Sequence, residues 1–414
     1  MKLGMLVIGS ELLQGKIADA NTPWLAQYLR AWNTTLTSVL ITHDEPAALK
    51  KALLQIFETC DAVICSGGLG PTADDITKAS LGDFFQRTMK SNSQFQEIAK
   101  KNYARMGREL APDHAYNFAP EGFTTLNNPS GFAPGLFFEE KSKCVFALPG
   151  VPKEFRDMMS EHFPALIGKS LVQNEKLQLL NFRTRGVPEE KIFFELCPDL
   201  WDELAQYGNL SSLPHVLGVD IGVTIKAPTD DELAAKAQKV NEIIKQSALQ
   251  KHLWHEGFLS LEEVIMQKAL AKKLTISFAE SCTGGLCSHR LTQISGISQV
   301  FWGSVVSYDN SVKEKVLQVK AETIQKNGAV SEQVAMEMAQ GVRLNLKTSI
   351  GVSLTGIAGP TGSTEEKPVG LVWIGFSTAN KTYAKKFQFK GDREILKLRF
   401  SQMAFFELLD NLQD

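Results

Sequence analysis

The stretch that decides the fold of the C-terminal third is Leu274–Gly285, LTISFAESCTGG. Its first half, Leu274–Ala279, is an apolar run typical of a buried strand, and a helix is predicted to follow. Ser281 therefore lies on a strand-to-helix turn, where backbone N–H groups carry partial positive charge and can hold a phosphate or an oxyanion. Gly284 and Gly285 let a ligand approach the backbone closely.

A serine hydroxyl is a weak nucleophile and needs a base. Lys313 is the candidate because it follows the predicted strand Val300–Ser307, and the carboxyl ends of neighbouring parallel strands open at one edge of a sheet. The amine must first lose its proton, which burial or a nearby cation favours by lowering its pKa. The alternative interpretation is that Ser281 only caps the helix and Lys313 is a solvated charge. Cys282 is a rival nucleophile that lacks a visible histidine partner.

Two further loops follow predicted strands in this part of the chain. Thr355 and Gly356 begin a glycine-rich loop whose glycines suit tight turns or close ligand contact. Arg393, at the start of the last predicted helix, has the planar fork that binds phosphate or carboxylate through two hydrogen bonds. The alternatives are a plain glycine-rich connection and an exposed arginine at a helix start.

The N-terminal block alternates predicted strands and helices, which is typical of an α/β fold whose parallel sheet is covered on both faces. A glycine-rich segment after the third strand predicts a phosphate cradle formed by Gly67, Gly68, Gly70 and Thr72. Asp74 and Asp75 are hard oxygen ligands suited to a divalent cation, and Glu11, after the first strand, is expected to join them. Alternatively, the two aspartates cap the helix that starts near Ile76.

The 414 residues suffice for two or three domains, and three blocks are predicted at residues 1–168, 176–255 and 259–414. The first and third blocks are predicted to be α/β domains. In the third block Ser260 and Ser331 are predicted to cap helices, the second of which spans Glu332–Leu346. The middle block has the pattern of a small α+β domain, interpreted as a spacer or dimerisation module, with ligand binding as the alternative.

Composition limits the partners and the compartment. The formal net charge of −2 gives no electrostatic footprint for nucleic acid or an anionic membrane. The six cysteines form no Cys-x-x-Cys pair, which favours free thiols in a reducing cytoplasm. No stretch approaches the roughly 20 apolar residues of a membrane span, and Met1–Gly9 has the pattern of a strand rather than a signal peptide. A cytoplasmic location without membrane or nucleic-acid partners is therefore expected.

Five motifs resemble those of the CinA C-terminal domain, in order: Ala279–Gly285, Tyr308–Lys313, Gly328–Ser331, Thr355–Pro360 and Lys367–Gly370. Members of that family are nicotinamide mononucleotide deamidases. The resemblance thus implies hydrolysis of nicotinamide mononucleotide to nicotinic acid mononucleotide and ammonia, in pyridine nucleotide recycling, without a cofactor. It also implies a homodimer and a Ser281/Lys313 catalytic dyad. Tyr308 and Thr355 would position the dyad and the substrate, which Arg393 would contact. Within the same motifs, Thr283, Gly284, Gly285 and Gly356 are candidate substrate-binding residues.

The N-terminal motifs Gly67–Thr77 and Leu148–Pro152 resemble the CinA N-terminal domain, which is itself like molybdopterin-binding domains. That likeness implies ADP-ribose pyrophosphatase activity with a divalent metal cation. Phe132 stands where the family usually has threonine, and Asp113–Asn117 lacks the basic residue often seen there. Both departures indicate a weak, altered or absent pyrophosphatase. The rival hypothesis is a non-enzymatic nucleotide- or pterin-binding regulatory protein linked to competence.

Overall fold

The computed structural model describes residues 1–72, 74–111, 115–168 and 176–412. The chain divides into two compact units, which are unit 1 (Met1–Gln178 with Lys226–Leu233) and unit 2 (Leu179–Ile225 with Ala234–Asp414). Most of the middle block therefore clusters with the C-terminal block. No described helix is both long and apolar enough to cross a membrane.

Unit 1 is built around one mixed sheet with the strand order β2-β1-β3-β8-β7-β6. The strands of unit 1 are β1 (Leu3–Ile8), β2 (Leu36–Thr42), β3 (Ala62–Ser66), β4 (Met89–Ser91), β5 (Phe118–Pro120), β6 (Thr124–Leu126), β7 (Gly135–Glu140) and β8 (Lys143–Leu148). Of these, β4 and β5 pair only with each other. The helices of unit 1 are α1 (Ser10–Leu13), α2 (Asn21–Tyr28), α3 (Pro46–Thr59), α4 (Thr77–Phe84), α5 (Ser93–Arg105) and α6 (Pro152–Leu166).

The predicted parallel sheet is confirmed for β2, β1, β3 and β8, whereas β7 and β6 add an antiparallel edge. Successive residues of β1 enter two different cores, Leu6 and Ile8 on one side and Met5 and Val7 on the other. Side chains alternate across a strand, so the sheet is covered on both faces, as predicted.

The middle part of the chain forms a four-stranded sheet with the order β10-β11-β9-β12. Its elements are β9 (Lys176–Thr184), α7 (Glu189–Lys191), a π-helical turn (Ile192–Leu196), α8 (Leu200–Ala205), β10 (Gly208–His215), β11 (Gly218–Ala227), α9 (Asp230–Gln246) and β12 (Leu253–Glu256). The sequence pattern does not predict β10, because half of its residues are exposed and the strand carries little apolar signal.

The C-terminal part of unit 2 has the sheet order β14-β13-β15-β16-β17. Its strands are β13 (Ile276–Glu280), β14 (Phe301–Val306), β15 (Ile350–Gly356), β16 (Leu371–Ser377) and β17 (Thr382–Gln388). Its helices are α10 (Leu261–Ala271), α11 (Leu286–Thr292), α12 (Asn310–Lys315), α13 (Ala321–Asn327), α14 (Glu332–Leu346) and α15 (Arg393–Asn411). The first three strands of the order are parallel, and β16 and β17 are antiparallel.

Two helix starts in this part match the sequence prediction because their caps are explicit. Ser260 and Glu263 form a reciprocal capping box at α10, and the Ser331 hydroxyl accepts from Val334 N at α14. Residues of α10, α11 and α15 belong to one core cluster, and residues of α14 belong to another.

Gly341 of α14 is expected to be irreplaceable by alanine. A Cβ there would lie 2.0 Å from the Leu317 carbonyl oxygen, just beyond α12. Alanine improves helix propensity by about 1 kcal/mol, but overpacking against backbone costs about 1–3 kcal/mol, so the Gly341→Ala variant should be less stable. Urea unfolding checks this, with Gln340→Ala on the exposed face of the same helix as the control. A rise in the unfolding midpoint of Gly341→Ala would contradict the packing described.

Candidate active site

Three strand ends meet at one edge of the C-terminal sheet. The strand β13 lies between β14 and β15, parallel to both, and Glu280 is in register with Val306 and Leu354. Just beyond β13, Ser281 N donates to Leu354 O at 3.0 Å, and Ser307 N donates to Glu280 O at 2.8 Å. The predicted adjacency of the two strands is therefore confirmed, and the turns that follow them open at the same edge.

Lys313, on α12, is buried, with 1% of its surface exposed. Its Nζ donates to Ser307 O at 2.7 Å and to Tyr308 O at 3.3 Å, rather than to Ser281. Burial lowers the pKa of the amine, and the nearby Asp309 carboxylate partly opposes that shift. The alternative interpretation of Lys313 as a solvated charge is therefore wrong.

Cys282 is buried next to the half-buried Ser281. Burial raises the pKa of the Cys282 thiol to about 12, even though the Lys313 amine lies close enough to lower it. The reactive thiolate is therefore scarce at neutral pH, which argues against Cys282 as the nucleophile.

Replacing Cys282 by alanine is expected to leave the kcat/KM of any Ser281-dependent reaction within about threefold of the wild type, because an undissociated thiol neither attacks nor accepts a proton. Steady-state kinetics of Cys282→Ala check this, with circular dichroism as the control for folding. Loss of activity in a folded Cys282→Ala protein would return the cysteine to the list of candidate nucleophiles.

Glu280 has a role in the site that the sequence pattern does not predict. Its side chain is fully buried. The carboxylate accepts five hydrogen bonds, from Thr283 Oγ1 (2.8 Å), Gly285 N (3.0 Å), Cys287 N (3.1 Å), Ser288 N (2.9 Å) and Ser288 Oγ (2.7 Å). The available signal was an acidic residue just before a helix start, where a negative charge is stabilising.

Glu280 corrects the prediction that the start of α11 holds a phosphate or an oxyanion. The amides of Gly285, Cys287 and Ser288 already donate to an internal carboxylate. The Thr283 hydroxyl donates to the same carboxylate, and the substrate roles of Thr283, Gly284 and Gly285 stay predictions.

The two glycines after Ser281 have left-handed backbone conformations. The φ angle is 62° at Gly284 and 95° at Gly285, a region that other residues rarely adopt. A Cβ on Gly284 would meet no atom within 4 Å, so this side of the turn is open to a ligand.

Arg393 connects two loops at the site. Its Nη1 donates to Gly359 O at 2.7 Å, and its Nη2 donates to the Tyr308 hydroxyl at 3.1 Å. Tyr308 is 62% exposed, so its ring borders the solvent-facing side of the site. Arg393 also lines a cavity of about 380 Å³, together with Leu286, Glu394, Lys397 and Leu398. The predicted residues Tyr308 and Arg393 are thus in direct contact.

Thr355 and Gly356 have packing roles in this structure. The buried Thr355 hydroxyl donates to Ala329 O at 2.8 Å, which ties the loop before α14 to the sheet. A Cβ on Gly356 would lie 2.5 Å from Leu371 O, so glycine is required by the close approach of β16. Neither feature requires a ligand, and their substrate roles stay predictions.

The glycine-rich segment of unit 1 borders a cavity of about 680 Å³. The cavity lining includes the predicted residues Glu11, Gly67, Gly68, Gly70, Asp74 and Asp75. The φ angle of Gly67 is 111°, and a Cβ there would lie 2.2 Å from Ile8 O, so the close approach of β1 demands glycine. Thr72 instead donates through N and Oγ1 to Asp75 Oδ2.

The predicted metal site is not formed in this arrangement. Within residues 1–72, 74–111, 115–168 and 176–412, no three His, Cys, Asp or Glu side chains come together to hold a metal ion. Glu11, Asp74 and Asp75 share a cavity without converging, partly because Asp75 is drawn to Thr72. The alternative interpretation, that Asp74 and Asp75 cap the helix near Ile76, is also wrong. Ile76 itself is the N-cap of α4, and no side chain forms a capping hydrogen bond to this helix.

Phe132 lies in the cavity lining of unit 1. Its ring centroid is 4.7 Å from that of Tyr103, and the Arg108 guanidinium lies 5.2 Å from its centroid. The Phe132 ring, where the family usually has threonine, therefore borders the cavity of unit 1. Asp113 and His114, in the other departing segment, lie outside the described residues.

Comparisons with known proteins cover nearly the whole chain. The family model "CinA C-terminal domain" matches residues 259–412, and "Probable molybdopterin binding domain" matches residues 4–168. A CinA-like protein of Salinibacter ruber is 38% identical over 412 residues, covering 98% of each chain. A CinA-like protein of Dictyoglomus thermophilum is 37% identical, covering 96% of each chain. The solved competence/damage inducible protein CihA of Agrobacterium tumefaciens is 35% identical and covers 38% of this chain and 99% of its own, with a TM-score of 0.36.

Proposed function

This chain belongs to the CinA family, and on that premise we propose that unit 2 hydrolyses nicotinamide mononucleotide to nicotinic acid mononucleotide and ammonia. The observation that carries the proposal is the buried Lys313 amine, which follows a strand adjacent to β13, the strand that ends just before Ser281. An amine whose pKa burial lowers is the form of lysine that can take a proton from a serine hydroxyl.

The chemistry needs only groups of this chain, the substrate and water. Lys313 takes the proton of Ser281 Oγ, which bonds to the carboxamide carbon and turns its oxygen into an oxyanion. The tetrahedral intermediate then collapses, the C–N bond breaks, and the Lys313 proton leaves with the nitrogen as ammonia. Water, deprotonated by Lys313, attacks the resulting Ser281 ester; the bond between Ser281 Oγ and the acyl carbon breaks, Lys313 returns the proton to Ser281 Oγ, and the nicotinic acid product leaves.

The first step requires Lys313 Nζ to reach Ser281 Oγ, to which it is not hydrogen-bonded in this structure. Lys313 Nζ is bonded to two backbone carbonyls, at 2.7 Å and 3.3 Å, and the longer bond is the weaker one. Exchanging the Tyr308 carbonyl for Ser281 Oγ keeps the amine hydrogen-bonded while it accepts the proton. Catalytic hydrogen bonds are often long or unformed without substrate.

Substrate would be held on the open side of the turn. Gly284 allows close approach there, and the guanidinium of Arg393 offers positive charge for a phosphate. Its neighbour Lys397 adds a second cation to the same cavity. Both cations favour a phosphorylated substrate over an uncharged one.

Ammonia release tests the proposal. The purified full chain is incubated with nicotinamide mononucleotide, and ammonia and nicotinic acid mononucleotide are quantified, with nicotinamide riboside and nicotinamide as comparison substrates. We expect equal amounts of the two products from the mononucleotide and much slower release from the comparison substrates. A folded protein that binds the mononucleotide but releases no ammonia would favour the non-enzymatic regulatory hypothesis instead.

Unit 1 supports only a coarser proposal. We propose that its glycine-lined cavity binds a phosphate-bearing nucleotide, with ADP-ribose as the family's candidate, because about 680 Å³ lies within the range of small-molecule sites. The carboxylates do not fit a three-ligand metal cage, so we derive no hydrolytic step through a cation. Binding of ADP-ribose, and its cleavage with and without Mg²⁺, measure the two properties separately. Binding without cleavage is the expected result, and absence of both would contradict the proposal.

A further inference from the structure

Glu280 determines which backbone amides around Ser281 remain free. Five amides of the turn and the helix start are already committed, Ser281 N to Leu354 O, Gly284 N to Ser281 O, and the amides of Gly285, Cys287 and Ser288 to the Glu280 carboxylate. Within the described residues, the amides of Cys282, Thr283 and Leu286 donate to no other residue. The amides of Cys282 and Thr283 are the two that follow Ser281 directly.

The start of α11 is a poor place for a second anion. Its partial positive charge already faces a fixed carboxylate, and a further negative charge there would meet a like charge. Oxyanion donors must instead point at the position where the charge develops, within about 3 Å of it. On strand-to-helix turns that carry a nucleophile, the amide of the next residue commonly serves this purpose.

We propose that Glu280 is a positioning residue that fixes the turn after Ser281, so that the Cys282 and Thr283 amides hold the oxyanion formed when Ser281 attacks a carboxamide. This inference rests on the proposed amidase function. Glu280 does not touch the substrate, and it acts through five hydrogen bonds that set the path of the turn. The Ser288 hydroxyl extends this network by a 2.6 Å contact with the Ser304 hydroxyl on β14.

The Glu280→Gln variant separates positioning from simple stability. An amide can accept through one oxygen only, and its NH₂ group would face amides that also donate, so the turn should loosen. Weakening an oxyanion site typically lowers kcat by about 10²-fold, and we expect KM to stay within about threefold. Glu263→Gln is the matched control, because that carboxylate also caps a helix of unit 2 but lies outside the site. It should lower thermal stability while leaving kcat unchanged.

An aldehyde analogue of the substrate provides a readout that structural damage alone would not produce. In pyridine-3-carbaldehyde ribonucleotide, the Ser281 oxygen bonds to the aldehyde carbon, and the serine proton moves to Lys313 as the aldehyde oxygen becomes an oxyanion. Glu280→Gln should weaken binding of this compound by the same factor as kcat/KM, and should change the affinity for nicotinic acid mononucleotide by less than about twofold.

Thr283→Val removes only one of the five hydrogen bonds to the Glu280 carboxylate. It is the variant to measure if Glu280→Gln folds poorly. It should lower kcat by a smaller factor, with the same selective loss of aldehyde binding. Two results would overturn the role of Glu280 and leave the amidase proposal standing. One is an equal loss of affinity for the aldehyde and for nicotinic acid mononucleotide. The other is an unchanged kcat in both Glu280→Gln and Thr283→Val while Ser281→Ala is inactive. Absence of ammonia release by the wild type would instead overturn the amidase proposal, and this inference with it.

Discussion

Replacing Ser281 with alanine is expected to lower kcat for deamidation of nicotinamide mononucleotide by about 10⁴-fold or more, because the acceptor of the acyl group is lost. Substrate affinity should change by less than about threefold, since the small hydroxyl makes no ground-state contact that the mechanism requires. Ammonia release measures the first effect, and calorimetric titration with the mononucleotide measures the second.

Ser288→Ala is the matched comparison for Ser281→Ala. It removes a serine hydroxyl from the same segment, but one that donates to the Glu280 carboxylate. Its kcat should fall far less than that of Ser281→Ala. Undiminished ammonia release by Ser281→Ala would contradict the serine mechanism.

Replacing Lys313 with methionine should cause a comparable loss, because a dyad acts as one unit. The Ser281→Ala/Lys313→Met double variant should therefore be no less active than either single variant. Methionine matches the length of the buried side chain without an ionisable group. Lys313→Arg keeps a cation but cannot supply a neutral base, so it should be equally inactive. Substantial activity in Lys313→Met or in Lys313→Arg would exclude Lys313 as the base.

The same residue predicts a pH dependence with a defined sign. Burial lowers the pKa of the Lys313 amine from its ordinary value of 10.5, and the neutral amine is the active form. Wild-type kcat should therefore rise with pH and level off with a midpoint below 10.5. A midpoint at or above that value would contradict the burial described.

Stability should follow the same ionisation. Between the lowered folded-state pKa of Lys313 and 10.5, the unfolded chain binds more protons than the folded chain, so the free energy of unfolding rises with pH. Lys313→Met lacks this contribution. The stability of the wild type relative to Lys313→Met should therefore increase from neutral to alkaline pH, as measured by urea unfolding at several pH values.

The features predicted well from sequence are those that local chemistry specifies. The helix α14 was predicted from Glu332 to Leu346 because Ser331 is an explicit cap, and the structure has those bounds. The strand-to-helix turn at Ser281 followed from a buried apolar run and two glycines. The prediction that Ser281 and Lys313 meet rests on the assumption that their strands are neighbours, and the register confirms that the strands are neighbours.

The missed features depend on where the backbone runs in three dimensions. Nothing in the sequence shows that the Glu280 carboxylate turns back to accept the amides of α11, or that Lys313 Nζ lies against the Ser307 carbonyl. The same limit applies to the arrangement of the predicted metal ligands. Asp74 and Asp75 are adjacent in sequence, but the contact between Asp75 and Thr72 draws one carboxylate aside.

The most direct test of the account is the distance between Ser281 Oγ and Lys313 Nζ in a crystal of the protein with nicotinic acid mononucleotide bound. We predict a hydrogen bond of about 2.7–3.2 Å between these atoms, with the nicotinate carboxylate next to Ser281 Oγ and the ribose phosphate near Arg393. The opposite result is a bound nucleotide elsewhere, with Lys313 Nζ still on the Ser307 and Tyr308 carbonyls and Ser281 Oγ out of its reach. That outcome would contradict the serine–lysine mechanism.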